Sequence, residues 1–241
     1  MLEVLRSRRL ALGPKAQEFE RLLSEYTHLP FAASVSSGTA GLHLAVRALG
    51  IGSGDCVVTS SFSFIASANC VRYEGATPTF VDIDPETLCL SPSALADYLD
   101  SCVQEDGAVR DPGTGDRVAA VIPVDAFGHP ADTGAIAEIA RARGLSVISD
   151  SCEALGSWFA APDGERGHAG SDADYTVFAF YANKQITTGE GGAVLSSTEE
   201  RRSAIVSLRN HGRRPGDPAL THEILGFNYR IDELSAALGV A

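Results

Sequence analysis

What most constrains this chain is an alternation. From about residue 31 onward, short apolar runs and amphipathic stretches follow one another. CVVTS (56–60), TPTFVDI (77–83), VAAVIPVD (118–125), LSVIS (145–149), YTVFAF (175–180) and GGAVLSS (191–197) read as strands. Residues 32–50 read as a short segment, a Ser/Gly turn and an amphipathic helix. Further helical patterns lie at 63–75, 91–103, 131–144 and 198–212. Ser91 is placed to cap the helix at 91–103, and Gly144 to stop the one at 131–144. Strands separated by helices run mostly parallel, because the crossover returns the chain to the same edge of the sheet. Continuous apolar strands fit a sheet covered on both faces. The expectation is an α/β fold: a mostly parallel sheet with helices on both faces.

The two ends read differently. Residues 1–30 look like a helical entry segment, with Phe19, Leu22, Leu23 and Tyr26 on one stripe of EFERLLSEYTHL. Residues 31–241 form the large α/β unit. Polar, Gly/Pro-containing stretches at 105–117 and 161–174 read as loops. RIDELSAALGVA begins a helix with Leu234, Ala237 and Leu238 on one stripe and stops after about two turns. A helix that ends without a cap suggests a polypeptide that continues in its parent protein.

Charge and cysteine usage narrow the function. Nineteen Lys and Arg stand against 31 Asp and Glu, a net charge of −12. Such a chain repels phosphate backbones and anionic membranes, so nucleic-acid or membrane partners are not expected. No run of about 18 apolar residues is present, and the N-terminus lacks the apolar stretch of a secretory signal. The five cysteines are odd in number and show no CxxC spacing, which reads as reduced thiols in the cytoplasm. The six histidines are scattered, so no metal is expected. Lysine occurs only twice, at Lys15 and Lys184, so a lysine in the interior half of the chain is not readily dismissed as solvation.

In open α/β sheets ligands sit beyond the carboxyl ends of the strands. Past residues 32–35 comes Ser36-Ser37-Gly38-Thr39, opening a helix; the turn is either an anion site or a plain helix cap. Past 56–60 comes Ser61-Phe62-Ser63-Phe64, either core or a ring platform. Past 118–125 come Ala126-Phe127-Gly128-His129. Past 145–149 comes Asp150, a ligand carboxylate or an N-cap. Past 175–180 comes Tyr181-Ala182-Asn183-Lys184, followed by a Gly-rich stretch that is either a hairpin turn or a close approach to something bulky. Together these parts suit pyridoxal phosphate. The helix start takes the phosphate, the carboxylate pairs with the pyridinium nitrogen, an aromatic stacks on the ring, and Lys184 holds the aldehyde as a Schiff base.

The segments SVSSGTAGLHLAV, GATPTFVDID, SDSCEALGS, ANKQITTGEGGAV, LRNHG and LGFNYRIDELSAALG resemble the DegT/DnrJ/EryC1/StrS family of sugar aminotransferases. The resemblance runs from about residue 2 to residue 240. It implies a fold-type I pyridoxal-phosphate enzyme that moves an amino group, with glutamate as donor, to a keto-deoxysugar nucleotide. The setting it implies is surface polysaccharide or amino-sugar biosynthesis. Residue by residue, Lys184 matches the Schiff-base lysine and Asp150 the carboxylate at the ring nitrogen. Phe64 matches the stacked aromatic, and Gly38 and Thr39 the phosphate turn. Asn228 matches an asparagine that the neighbouring subunit of a dimer offers to the phosphate, which implies a homodimer with shared sites.

Three departures stand out. Glu153 occupies a position where the family often has Gln or His beside the cofactor's ring oxygen. A carboxylate there accepts a proton rather than donating one. Ala179 replaces a common phosphate-binding serine, removing a hydroxyl donor worth about 0.5–1.5 kcal/mol. Third, the resemblance implies a smaller C-terminal domain beyond the segment that this sequence matches. Arg209, Arg213 and Arg230 are candidates for phosphates or carboxylates, or ordinary salt-bridge residues. Two alternatives stay open: a sugar dehydratase, a branch in which histidine replaces the lysine, and a non-catalytic cofactor-domain fragment.

Overall fold

The computed structural model describes residues 1–160, 166–214, 216 and 221–241. In chain order the elements are α1 (Leu2–Ser7), α2 (Pro14–Thr27), β1 (Phe31–Val35), α3 (Gly38–Ala48), β2 (Asp55–Thr59), α4 (Ala66–Tyr73) and β3 (Thr77–Phe80). Then come α5 (Pro92–Ser101), β4 (Val103–Glu105), β5 (Ala108–Arg110), β6 (Arg117–Ile122), α6 (Thr133–Arg141) and β7 (Ser146–Asp150). The rest are β8 (Trp158–Ala160), β9 (Arg166–His168), β10 (Tyr175–Ala179), β11 (Gly192–Ser196), α7 (Glu199–Leu208) and α8 (Glu233–Val240).

The main sheet runs β1-β11-β10-β7-β6-β2-β3. Pairings from β10 through β7, β6 and β2 to β3 are parallel, as the crossover helices require. β11 is the exception, antiparallel to both β1 and β10. It follows β10 through the lysine loop alone, with no helix between, so the chain returns in the opposite direction beside the strand it has just left.

Successive residues along the strands face opposite layers, as the pleat demands. Val57, Ile122, Ile148, Val177 and Val194 belong to the layer under α3, α4 and α7. Val58, Val121 and Val147 join the layer with Leu95 and Leu99 of α5 and Ile136 of α6. Phe178 and Leu195 join Phe19 and Leu23 of α2 and Ala236 of α8 on that same second side. The expected two-faced sheet is therefore present.

Several boundaries differ from the sequence reading. The stretch read as a loop at 105–117 contains a hairpin, β4 against β5. Its turn is Asp106-Gly107, both with positive φ (51° and 75°), the Asp-Gly pairing that matches the twist of a two-residue hairpin. The stretch at 161–174 includes β9, which pairs with β8 in a separate ribbon; 161–165 lie outside the described residues. The strand at 77–83 stops at Phe80, the one at 118–125 at Ile122, and the helix at 63–75 shrinks to α4. Ser91 caps α5, its hydroxyl accepting from the Ala94 N–H at 3.3 Å.

The ends of the chain meet. Glu233, 1% exposed at the start of α8, accepts hydrogen bonds from the N–H groups of Gly13, Lys15 and Ala16 at 3.0, 2.8 and 2.9 Å. A carboxylate there satisfies the orphan donors and positive dipole end of α2. The buried face of α8 is Glu233, Ala236 and Ala237, while Leu238 is exposed, so of the stripe expected from Leu234, Ala237 and Leu238 only Ala237 is buried.

Candidate active site

Strand ends and helix starts converge on one cleft of about 690 Å³. It takes in Gly38, Thr39, Phe64, Asp150, Glu153 and Lys184, six of the seven residues singled out from the sequence. The seventh, Asn228, does not line it. Asn228 lies exposed in a segment bridged to Asn210, with its neighbours Phe227 and Tyr229 packed inward against His43.

The anion turn is built by close approach. Ser37, in extended backbone, caps α3 by accepting from the Ala40 N–H at 3.1 Å. A Cβ on Gly38 would stand 2.8 Å from both Ala179 Cβ and Cys152 Sγ, so only glycine lets the helix start lie on β10 and the segment after β7. Gly192 is needed for the same reason, since a Cβ there would stand 2.7 Å from the Ser37 carbonyl oxygen.

Asp150 ends β7 and is 5% exposed. Its Oδ2 accepts from Ser67 Oγ at 2.6 Å and its Oδ1 from the Cys152 N–H at 3.3 Å. Beside it lies Asp125, fully buried, whose N–H donates to the Asp150 carbonyl. Asp125 accepts from Ser151 Oγ at 2.6 Å and the Ala131 N–H at 2.8 Å. Burial pushes the Asp125 carboxyl up to about 7; these hydrogen bonds oppose the rise and the Asp150 charge adds to it. The Cys152 thiol is pushed well above its ordinary value, first by burial and then by the charge on Asp150.

Lys184 sits in the loop between β10 and β11, its side chain 16% exposed. Its Nζ donates to Glu153 Oε1 at 3.0 Å. The other Glu153 oxygen, Oε2, accepts from the Phe127 N–H at 3.1 Å, and the Glu153 carbonyl accepts from Gln185 Nε2. Phe127 has φ 53° and ψ 24°, a left-handed backbone that costs a bulky residue about 1–3 kcal/mol. Its ring is exposed and meets Phe62 edge-on at 5.9 Å.

Sequence reasoning did not assign Asp125, Ser67 or Cys152 to the site. Asp125 carried a usable signal, a carboxylate closing an apolar strand as Asp150 does. Ser67 carried none, because only the fold brings α4 against β7. The arginine candidates lie elsewhere. Arg209 pairs with buried Glu20 at 2.7 Å and donates to the Ser34 carbonyl, tying α7 to α2 and β1. Arg230 donates to Asn210 at 3.0 Å, and neither it nor Arg213 lines the cleft.

A mixed, mostly parallel sheet with an amine, a buried carboxylate and a helix-start turn in one strand-end cleft defines the class. The chain belongs to the DegT/DnrJ/EryC1/StrS aminotransferase family, the match running over residues 1–241. It is 38% identical over 232 residues to GDP-perosamine synthase of Caulobacter vibrioides, an alignment covering 96% of this chain and 57% of that protein. Among solved structures, an aminotransferase of the same family from Brucella abortus superposes with a TM-score of 0.88 at 29% identity. That likeness covers 98% of this chain and 60% of the other. NtdA from Bacillus subtilis, solved with bound cofactor PMP, gives a TM-score of 0.84 at 29% identity, over 99% of this chain and 50% of that one. The chain thus spans between half and three-fifths of the length of these relatives.

Proposed function

We propose that this chain is the cofactor-binding part of a pyridoxal-phosphate-dependent aminotransferase. It moves an amino group from an amino-acid donor, glutamate, to a keto-deoxysugar nucleotide. The observation that carries the reading is the joint presence of Lys184 and buried Asp150 in the cleft that begins at the Ser37–Thr39 turn. The donor set fits the cofactor: an amine for an aldehyde, a carboxylate for a pyridinium nitrogen and free helix-start N–H groups for a phosphate. Bound there, the cofactor supplies an electron sink for the carbon that gains or loses the amine.

The residues divide that work. Asp150, oriented by Ser67 and the Cys152 N–H, holds the proton on the ring nitrogen. Gly38 and Thr39 bind the phosphate at the start of α3, and Phe64 stacks on the ring. Lys184 is the residue that would hold the cofactor's aldehyde and, once its amine is free again, would move the proton at the reacting carbon. Glu153 lies beside the ring oxygen. Asn228, exposed and away from its own cleft, serves the site of a second copy, so the working form is a homodimer. A lysine rather than a histidine at 184 favours transfer over dehydration. The chain's acidic charge and unpaired cysteines support a cytoplasmic enzyme of surface-polysaccharide or amino-sugar synthesis.

The test is covalent trapping. The chain is incubated with pyridoxal phosphate, reduced with borohydride and mapped by peptide mass. Label on Lys184 in the parent and none in K184A is expected. A folded chain that takes no label at Lys184 would overturn the reading.

A further inference from the structure

Glu153 joins three loops that approach the cleft from different strands. One carboxylate oxygen takes the Lys184 amine and the other takes the Phe127 N–H. Its carbonyl takes the Gln185 side chain and lies beneath Gly128, where a Cβ would stand 2.7 Å away. Gly128 also has φ +82°, so the turn at 126–128 has two consecutive left-handed residues pressed onto Glu153. Ser157, four residues on, donates to the Gly128 carbonyl at 2.6 Å and closes the far side. Phe127 pays backbone strain and leaves its ring 76% exposed, lining the same cleft as Lys184. A strained bulky residue persists only where its surroundings over-determine it. Here its N–H donates to Glu153 Oε2, and the carboxylate's other oxygen accepts from Lys184.

We infer that Glu153 is a positioning residue that latches the Phe127–Phe62 aromatic wall to the free amine of Lys184. While Nζ is free, it donates to Oε1 and leaves Oε2 aimed at the Phe127 N–H. When Nζ condenses with an aldehyde, the C=N bond replaces the C=O bond and the oxygen leaves as water with two of the amine hydrogens; Nζ then leaves Glu153, the carboxylate loses one of its two anchors, and the turn is freed to reshape. The wall then adapts to whatever enters the cleft only after the lysine is engaged. The part of this that concerns aldehyde capture rests on the function proposed above; the link from Glu153 to Phe127 does not.

The experiment reads the Phe127 amide directly, by hydrogen exchange in protein labelled with 15N-phenylalanine and 15N-valine. Losing a charge-assisted hydrogen bond should speed exchange of this amide roughly tenfold or more in E153A. In K184A, where the acceptor remains but its partner is gone, a several-fold rise is expected. The Val147 amide, held by Asp174 at 2.8 Å, should stay protected in both and shows that the fold is intact. Parent protein saturated with unreduced pyridoxal phosphate, in which Nζ is held as an imine, should exchange like K184A. An unchanged Phe127 amide in E153A would overturn the positioning role. A loosened amide in E153A with no response to K184A or to the unreduced aldehyde would overturn the latch. Failure of the borohydride label to reach Lys184 would overturn the cofactor reading, and E153A and K184A would still decide the latch.

Discussion

Asp125 makes stability depend on pH in a way that can be worked out from its surroundings. Its carboxyl has an ordinary value of 3.8 and is raised to about 7 by burial in the fold. An acid raised on folding binds its proton more tightly in the native state. Between the two values the native state holds a proton that the unfolded chain has lost, so stability falls as pH rises through this window. Integrated from pH 5 to pH 8, the loss is roughly 2–3 kcal/mol. D125N cannot ionise and keeps an oxygen to accept from the Ala131 N–H. Urea unfolding of parent and D125N at pH 5, 6, 7 and 8 gives the difference directly, and the titration of other groups largely cancels. D125N should gain on the parent by that amount as pH rises. Two curves that stay parallel across the range would refute the reasoning. Asp125 would then be stabilised in its ionised form by Ser151 and Ala131, and burial would not be the dominant effect.

Other perturbations test other parts of the structure. G38A forces a methyl against Ala179 and Cys152; the overpacking should cost about 1–3 kcal/mol in denaturant unfolding and weaken cofactor binding. A179S restores a hydroxyl at the phosphate turn and should tighten pyridoxal-phosphate binding roughly two- to tenfold in a spectroscopic titration, the worth of one net hydrogen bond. E233A strips three N–H partners from the start of α2 and should lower unfolding stability by about 2–4 kcal/mol, read from the denaturant midpoint. K184A should abolish borohydride labelling while leaving the unfolding midpoint near that of the parent.

Much of the site was legible because its parts are local. A strand closing on Asp150, a Ser-Ser-Gly-Thr helix start and a lone interior lysine each announce themselves within a few residues. The topology of open sheets then places strand ends together. Glu153 was visible as a departure from its family, but its partners were not, because Phe127 lies 26 positions away and Lys184 31. Asp106-Gly107 was a readable hairpin signal inside a stretch whose polarity suggested a loop.

By itself, the order of apolar runs determined an α/β sheet covered on both faces, because pleat and helix period act on neighbouring residues. The residue types at strand ends determined which chemistry the cleft can hold. Only the tertiary structure decided that β11 runs against its neighbours, that Glu233 caps a helix 217 to 220 positions earlier, and that Asp125 is buried enough to hold a proton near neutrality. Each of these depends on what surrounds a group in space. Desolvation and long-range hydrogen bonding leave no periodic mark on the chain that produces them.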